Sequence, residues 1–356
     1  MKFFHMPVLI LLVSTTVVWA MLLVCNRIAL TAFDVDVYAM TCWQLVFGGL
    51  ALVLMAPGRL IPWRQFTLPI NWAYGVLRVL TGVSWTAALV YISAPESGIL
   101  SQTGMPMAAL AAAFILGRAP GKAEWFGHAI LLAGAGFLAW HLPDGFANPA
   151  VWLMLASEVT AISSSVLAEK HPDNQIKDAW SHLRFTGVLL LITASVFLIF
   201  PPLIGFISPV PIPYTSLDGF FGIETILAGL ILGTLLRGPA MVLTLRSIKT
   251  AGMEKYILAT SILPFILLGL EMLAARFDLT PAPTHDSVFW ISALLVMLGI
   301  VQITYSKRRH SRRLKALGAT TRPGQPPLPR PENEKNNKPP LRHQCRVARR
   351  SGAPFF

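Results

Sequence analysis

The sequence predicts an all-α integral membrane protein of ten transmembrane helices, arranged as two inverted five-helix repeats. Three observations carry this expectation: a composition too apolar for water, ten apolar stretches of membrane-crossing length, and a segment that recurs at a fixed offset. Of the 356 residues, 54% are hydrophobic and 13% charged, with a mean hydropathy of +0.60. Soluble domains hold about 25% charged residues, so the charge needed to cover a water-facing surface is missing.

A helix needs about 20 apolar residues to cross the hydrocarbon core. Stretches of that kind lie at 7–31, 36–56, 68–92, 97–117, 124–141, 149–168, 182–201, 222–246, 251–275 and 286–306. The first follows Met1–Met6 with no small-residue cleavage site after it, so it reads as an uncleaved span. The longest connections are the polar 169–181 and the Pro-rich 202–221. Residues 307–356 carry 14 Lys/Arg against two acids, a surplus of +12 that equals the net charge of the whole chain. That basic, Pro- and Asn-rich segment reads as a disordered tail. It marks a cytoplasmic end rather than a nucleic-acid-binding surface.

Loop charge sets the orientation. With the N-terminus inside, the inner connections hold Arg59, Arg64, Arg118, Lys122, Lys170, Lys177, Arg246, Lys249 and Lys255. The outer ones hold Asp34, Asp36, Glu96, Asp144, Asp218, Asp278 and Asp286, with Arg276 as the clear basic exception. Both termini are then cytoplasmic, in the cell (inner) membrane.

The segment YISAPESGILSQTGMP (91–106) aligns with KTAGMEKYILATSILP (249–264). Glu96 falls on Glu254, Pro106 on Pro264 and Arg118 on Arg276, and Arg78 lies one residue from register with Arg237. A five-helix unit repeated after an odd number of spans sits upside down relative to the first, the arrangement of many secondary transporters. The expected divisions are 1–141 and 142–306 for the two repeats and 307–356 for the tail.

Ionisable groups inside spans cost about 2.5–3.5 kcal/mol each at a helix centre and need a partner or water. Arg78, Arg237, Glu158 and Glu271 are such groups, and they read either as a polar cavity or as interhelical ion pairs. The substrate-binding candidates are Trp19, Arg78, Trp85, Gln102, Glu158, Ser164, Arg237 and Thr260, with Glu158 the candidate for ion coupling. Arginines offer bidentate contacts to a carboxylate or phosphate. Gln102 and Thr260 lie just ahead of Pro106 and Pro264, where a proline frees backbone carbonyls. Glu96 and Glu254 read more simply as helix N-terminal carboxylates. Gly48-Gly49 and Gly134/Gly136 read as packing surfaces, and Cys25 and Cys42 as two packed small residues rather than a disulfide.

The sequence resembles the drug/metabolite transporter superfamily, in particular the EamA-type transporters. The likeness rests on Trp19 followed by Arg27 and on Arg78. It continues through AALVYISAPESG and Pro106, the span-turn-span FILGRAPGKAEWFGHAILLAGAGFLA (114–139), and Arg237, Pro264 and Gly299 in the second copy. Ala20, Gly117-Arg118 and Trp43-Gln44 depart from the usual pattern. The resemblance implies a secondary transporter of a small polar metabolite, such as an amino acid or related organic anion, with export as one direction. No enzyme activity, catalytic residue, cofactor or metal site is expected. The eight histidines are scattered, and no Walker-type phosphate loop is present. Expected partners are the small-molecule substrate and the lipid bilayer, not nucleic acid, with a homodimer left open. The alternative is an integral membrane enzyme or flippase acting on a lipid-linked substrate.

Overall fold

In a computed structural model, residues 7–33, 35–56, 67–117, 120–170, 179–207, 217–251, 256, 259–281 and 286–316 are described, and no strand occurs among them. The chain divides into two units, Met1–Arg309 and His310–Phe356. Of the second, only the helical residues up to Ala316 are described.

Local chemistry sets the helix boundaries. Helix α1 (Val8–Ala32) starts after Pro7, and α2 (Val37–Met55) is capped by Asp36, whose carboxylate accepts from the Ala39 amide at 2.7 Å. A proline opens α3 (Pro69–Ala88). Ser93 and Glu96 form a reciprocal capping box on α4 (Ala94–Leu100), the helix-terminal role expected of Glu96. A 3-10 turn at Ser101–Thr103 then leads into α5 (Gly104–Leu116), which stops at Gly117 with φ +67°. Next come α6 (Lys122–His141), α7 (Pro149–Lys170), α8 (Ala179–Ile207) and the short α9 (Leu217–Phe221). Helix α10 (Ile223–Leu232) passes through a π-helical turn at Gly233–Arg237 into α11 (Gly238–Ala251). The chain ends in α12 (Leu263–Ala275) and α13 (Ser287–Ala316).

Among the described residues, seven helices are long and apolar enough to cross a membrane: Val8–Ala32, Val37–Met55, Ala94–Ile115, Pro149–Leu167, Leu183–Leu203, Ile223–Ala251 and Ser287–Arg309. The expectation of ten is therefore met in part. Pro69–Ala88 and Lys122–His141 are helices, but Asn71, Arg78 and four hydroxyls lower the hydropathy of one, and Lys122, Glu124 and two histidines that of the other. Leu263–Ala275 is apolar but short. Two ends also differ. Helix α8 continues through Pro201-Pro202 to Ile207. Helix α13 runs past Lys307 to Ala316, because that stretch is rich in Arg, Lys and Leu and meets no proline before Pro323. The rest of the expected tail lies outside the described residues, as do Met1–Met6, Asp34, Arg59, Arg64, Arg118, Lys177, Glu254, Lys255 and the middle of the 169–181 and 202–221 connections.

The polarity is turned outside in. Leu54, Phe114, Leu235 and Trp140 are each more than 60% exposed, whereas Thr15, Thr16, Asn26, Gln44 and Arg237 are buried. That is the distribution a hydrocarbon solvent requires.

Contacts between helices run in antiparallel register. On α2 and α8, Tyr38 donates to the Phe197 carbonyl at 2.8 Å, while a Cβ on Gly49 would stand 2.7 Å from the Gly187 carbonyl. On α1 and α11, Thr15 meets Ser247 at 2.7 Å and Trp19 meets Thr244 at 2.8 Å. On α4 and α12, Glu271 accepts from the Ala94 amide and Gly98 lies against Pro264 and Leu267. On α6 and α13, Gly127 faces Gly299 and Ile303, and Gly134 faces Ser292 and Val296. Backbones approach this closely only at small residues. Gly48, Gly49 and Gly134 are therefore packing residues as expected. Gly136 is not: nothing lies within 4 Å of the Cβ it lacks. Cys25 and Cys42 are both free.

Candidate functional site

Four helix faces bring polar groups together in the interior. Trp19 and Asn26 are seven residues apart on α1, and Arg237 and Thr244 seven apart across the π turn and α11, so each pair shares a face. Because the two helices are antiparallel, the pairs meet end for end. Trp19 Nε1 donates to Thr244 Oγ1 at 2.8 Å. At the other end α2 inserts Gln44, whose amide donates to Asn26 Oδ1 at 2.8 Å and whose carbonyl oxygen accepts from Arg237 Nη1 at 3.4 Å.

Helix α3 closes this side. Gly82 lies one turn beyond Arg78 on the same face, and a Cβ there would stand 2.6 Å from Arg237 Nη2 and 3.3 Å from Thr41 Cγ2. The missing side chain is the space the guanidinium occupies. Arg78 lies within electrostatic reach of Arg237 and of Tyr256. Tyr256 in turn shares side-chain hydrogen bonding with Thr244 and Trp19. Arg237 is 6% exposed, and its Nε has no hydrogen-bond partner among the described residues. No described carboxylate pairs with it. A cation placed in this way carries a desolvation penalty of several kcal/mol with no counter-ion to offset it.

The backbone is irregular at the same level. The π turn ends on Arg237 itself, immediately before Gly238-Pro239. Proline gives no amide hydrogen to the helix ladder, and a π turn absorbs the mismatch while re-aiming its side chains. Two further breaks lie at Ser101–Thr103 and at the turn before Leu263, each just ahead of Pro106 or Pro264.

Glu158 stands apart from the arginines. It is buried on α7, and its carboxylate fills the space beside Gly104, where a Cβ would collide with Oε2. It has no hydrogen-bond or ion-pair partner among the described residues. Its helix neighbours do: Ser157 donates to the Thr81 carbonyl at 3.1 Å, and Thr160 and Thr81 share a hydroxyl contact at 2.9 Å. The fourth ionisable group, Glu271, forms a strut. It accepts from the Ala94 amide at 2.8 Å and faces Arg27 Nε at 3.7 Å, while Arg27 Nη1 donates to the carbonyls of Leu89 and Ile92. This junction ties α1, α3, α4 and α12 at one end of the molecule.

Of the eight expected binding residues, contacts gather Trp19, Arg78 and Arg237. Trp85 packs between two apolar clusters, and its Nε1 has no acceptor among the described residues. Gln102 and Ser164 turn onto the backbone of their own helices, toward Gly98 and Ala161. Thr260 is half-buried ahead of α12. Sequence reasoning missed Asn26, Gln44, Gly82, Thr244 and Tyr256. The signal for the first two was present, since an amide side chain in an apolar span needs a polar partner as much as a charge does. Among the described residues, no group of three His, Cys, Asp or Glu could hold a metal ion.

Residues 6–140 match the EamA-like transporter family. That segment runs from the start of α1 to the end of α6 and contains Trp19, Arg27, Arg78 and Pro106, which carried the resemblance. No curated protein matches the sequence significantly. One solved structure, titled "Crystal structure of protein", is 17% identical and superposes with a TM-score of 0.54, covering 86% of this chain and 100% of its own. At that identity the likeness speaks for the fold alone.

Proposed function

We propose that this EamA-like membrane protein is a secondary transporter that moves a small polar metabolite, an amino acid or related organic anion, across the cytoplasmic membrane by alternating access. The observation that carries the reading is Arg237. It is a buried guanidinium at a helix break, held by one neutral amide and facing a second arginine, with no described counter-ion. A purely structural cation in the bilayer acquires a carboxylate, as Arg27 acquires Glu271. One that keeps its polar atoms open is arranged for a passing ligand.

Alternating access calls for two mirrored halves. We read residues 1–141 and 142–306 as those halves, ten spans in all, with α3, α6 and the α12 segment completing the seven long apolar ones. Exchanging each span for the one five places on turns the α1–α11 contact into the α7–α3 contact. The α2–α8, α4–α12 and α6–α13 contacts map onto themselves. Each of these last three is antiparallel, as inversion demands, and each is made at a glycine. The breaks ahead of Pro106 and Pro264 are likewise equivalent. Both termini then lie in the cytoplasm and residues 307–356 form a basic tail. Glu158, lacking a partner beside the break in the fourth span, is the group we assign to proton coupling.

The test is accumulation in proteoliposomes of the purified protein under an imposed pH gradient, with a panel of labelled amino acids and organic acids. The expected result is gradient-driven accumulation that Glu158→Gln abolishes while downhill exchange persists. Accumulation that ignores the pH gradient and survives Glu158→Gln removes the coupling role. No protein-dependent movement of any compound removes the transport reading.

A further inference from the structure

Among the described residues, every charged group facing the Arg237 pocket has the same sign. Arg237 supplies one guanidinium group and Arg78, one turn before Gly82 on the same face of α3, a second; the other side chains brought there, Asn26, Thr41, Gln44, Gly82, Thr244, Tyr256 and Trp19, are neutral. The described acids of the interior are accounted for elsewhere. Glu271 is committed to Arg27 and the Ala94 amide, Glu96 to its capping box with Ser93, and Glu158 lies against Gly104. A zwitterion brings an ammonium group as well as a carboxylate, and no described carboxylate lies beside the arginines to accept from it.

Resting on the transporter reading above, we propose that the cargo of this site is an organic dianion, a dicarboxylate or a phosphate monoester, bound between the guanidinium groups of Arg78 and Arg237. Two guanidinium charges, buried at Arg237 and half-buried at Arg78, with no described acid beside them, are better balanced by one ligand of charge minus two than by a monoanion or a net-neutral amino acid. The planar guanidinium fork suits the paired oxygens of either group. Gln44 holds Nη1 of Arg237 and leaves Nε without a partner among the described residues, so donors remain for the ligand. Gly82 is the specificity-determining position, because any larger residue displaces the guanidinium from its place against α3. Trp19 and Tyr256, joined through Thr244, offer aromatic surface to the organic part.

The experiment is a thermal-shift and competition series on the purified full-length protein. The probes are succinate and phenyl phosphate as dianions, lactate as a monoanion, glutamine as a zwitterion and choline as a cation. The expected result is stabilisation by at least one dianion at concentrations tenfold or more below those at which lactate or glutamine acts, and none by choline. Succinate against phenyl phosphate separates the carboxylate from the phosphate arm. Arg78→Gln and Arg237→Gln should each weaken dianion binding at least tenfold, and Arg237→Lys less. Gly82→Ala should weaken it while leaving the unliganded melting temperature closer to wild type than Arg237→Gln does. Glutamine or choline binding as tightly as the best dianion overturns the dianion assignment and leaves the transporter reading intact. No shift with either dianion overturns it as well. Dianion binding with no protein-dependent flux instead sinks the transporter reading and keeps the site.

Discussion

Gln44 serves two neighbours at once, donating its amide hydrogen to Asn26 and accepting from Arg237 at its carbonyl oxygen. All three side chains are buried, so no water replaces a lost partner. Gln44→Leu should destabilise the protein by about 1–3 kcal/mol, the usual penalty for a stranded buried polar group. The readout is thermal unfolding in detergent, and an unchanged melting temperature would contradict the network. Glu271→Ala should act more strongly, by about 3–5 kcal/mol, because it leaves the Arg27 cation without its acid. At this scale the charged residues were legible in the sequence, since any charge in a span demands an explanation. Their partners were not. Arg27 and Glu271 are far apart in the chain, and only packing shows that the acid is spent there rather than on Arg78 or Arg237. Gly82 was likewise invisible, because nothing local marks it off from a glycine that packs helices.

Helices in this chain meet at glycines, and the consequences differ from site to site. Gly49→Ala would put a methyl 2.7 Å from the Gly187 carbonyl and should cost about 1–3 kcal/mol through overpacking. Gly136→Ala, with nothing within 4 Å, should leave unfolding unchanged or raise the melting point slightly through better helix propensity. Equal effects from the two would refute the packing described. The sequence marks both as packing glycines, because periodicity cannot say which helix face a neighbour covers. Element existence was read well: each of the ten apolar stretches contains helix. Element ends were read less well, since the prolines at 201 and 202 do not end α8 and the basic run beyond 306 does not end α13. The π turn at Gly233–Arg237 is foreshadowed by Gly238-Pro239, although a proline signals disturbance and not its form.

At the level of the whole molecule, the proposed mirrored halves predict where the ends of the spans lie. With Cys25, Cys42 and Cys345 replaced by alanine, single cysteines at Asp144 and Ser287 should react with an impermeant maleimide added to intact cells. Cysteines at Lys122 and Lys307 should react only after the membrane is opened. Labelling of both ends of α6 or α13 from one side would mean that those helices do not cross, and the inverted arrangement would fall with them. The offset of 158 residues is what suggests the proposed repeat at the sequence level. The antiparallel contacts add the geometry that a linear alignment lacks, and the meeting of α1, α2, α3 and α11 around Arg237 follows only from that geometry. The most direct measurement of the central claim is counterflow in proteoliposomes. Vesicles preloaded with each unlabelled compound of the amino-acid and organic-acid panel are offered the labelled form outside. Exchange through a carrier predicts uptake several-fold faster into loaded than into empty vesicles for at least one organic anion, and loss of that stimulation in Arg237→Gln. Uptake that is the same in loaded, empty and protein-free vesicles for every compound would contradict it.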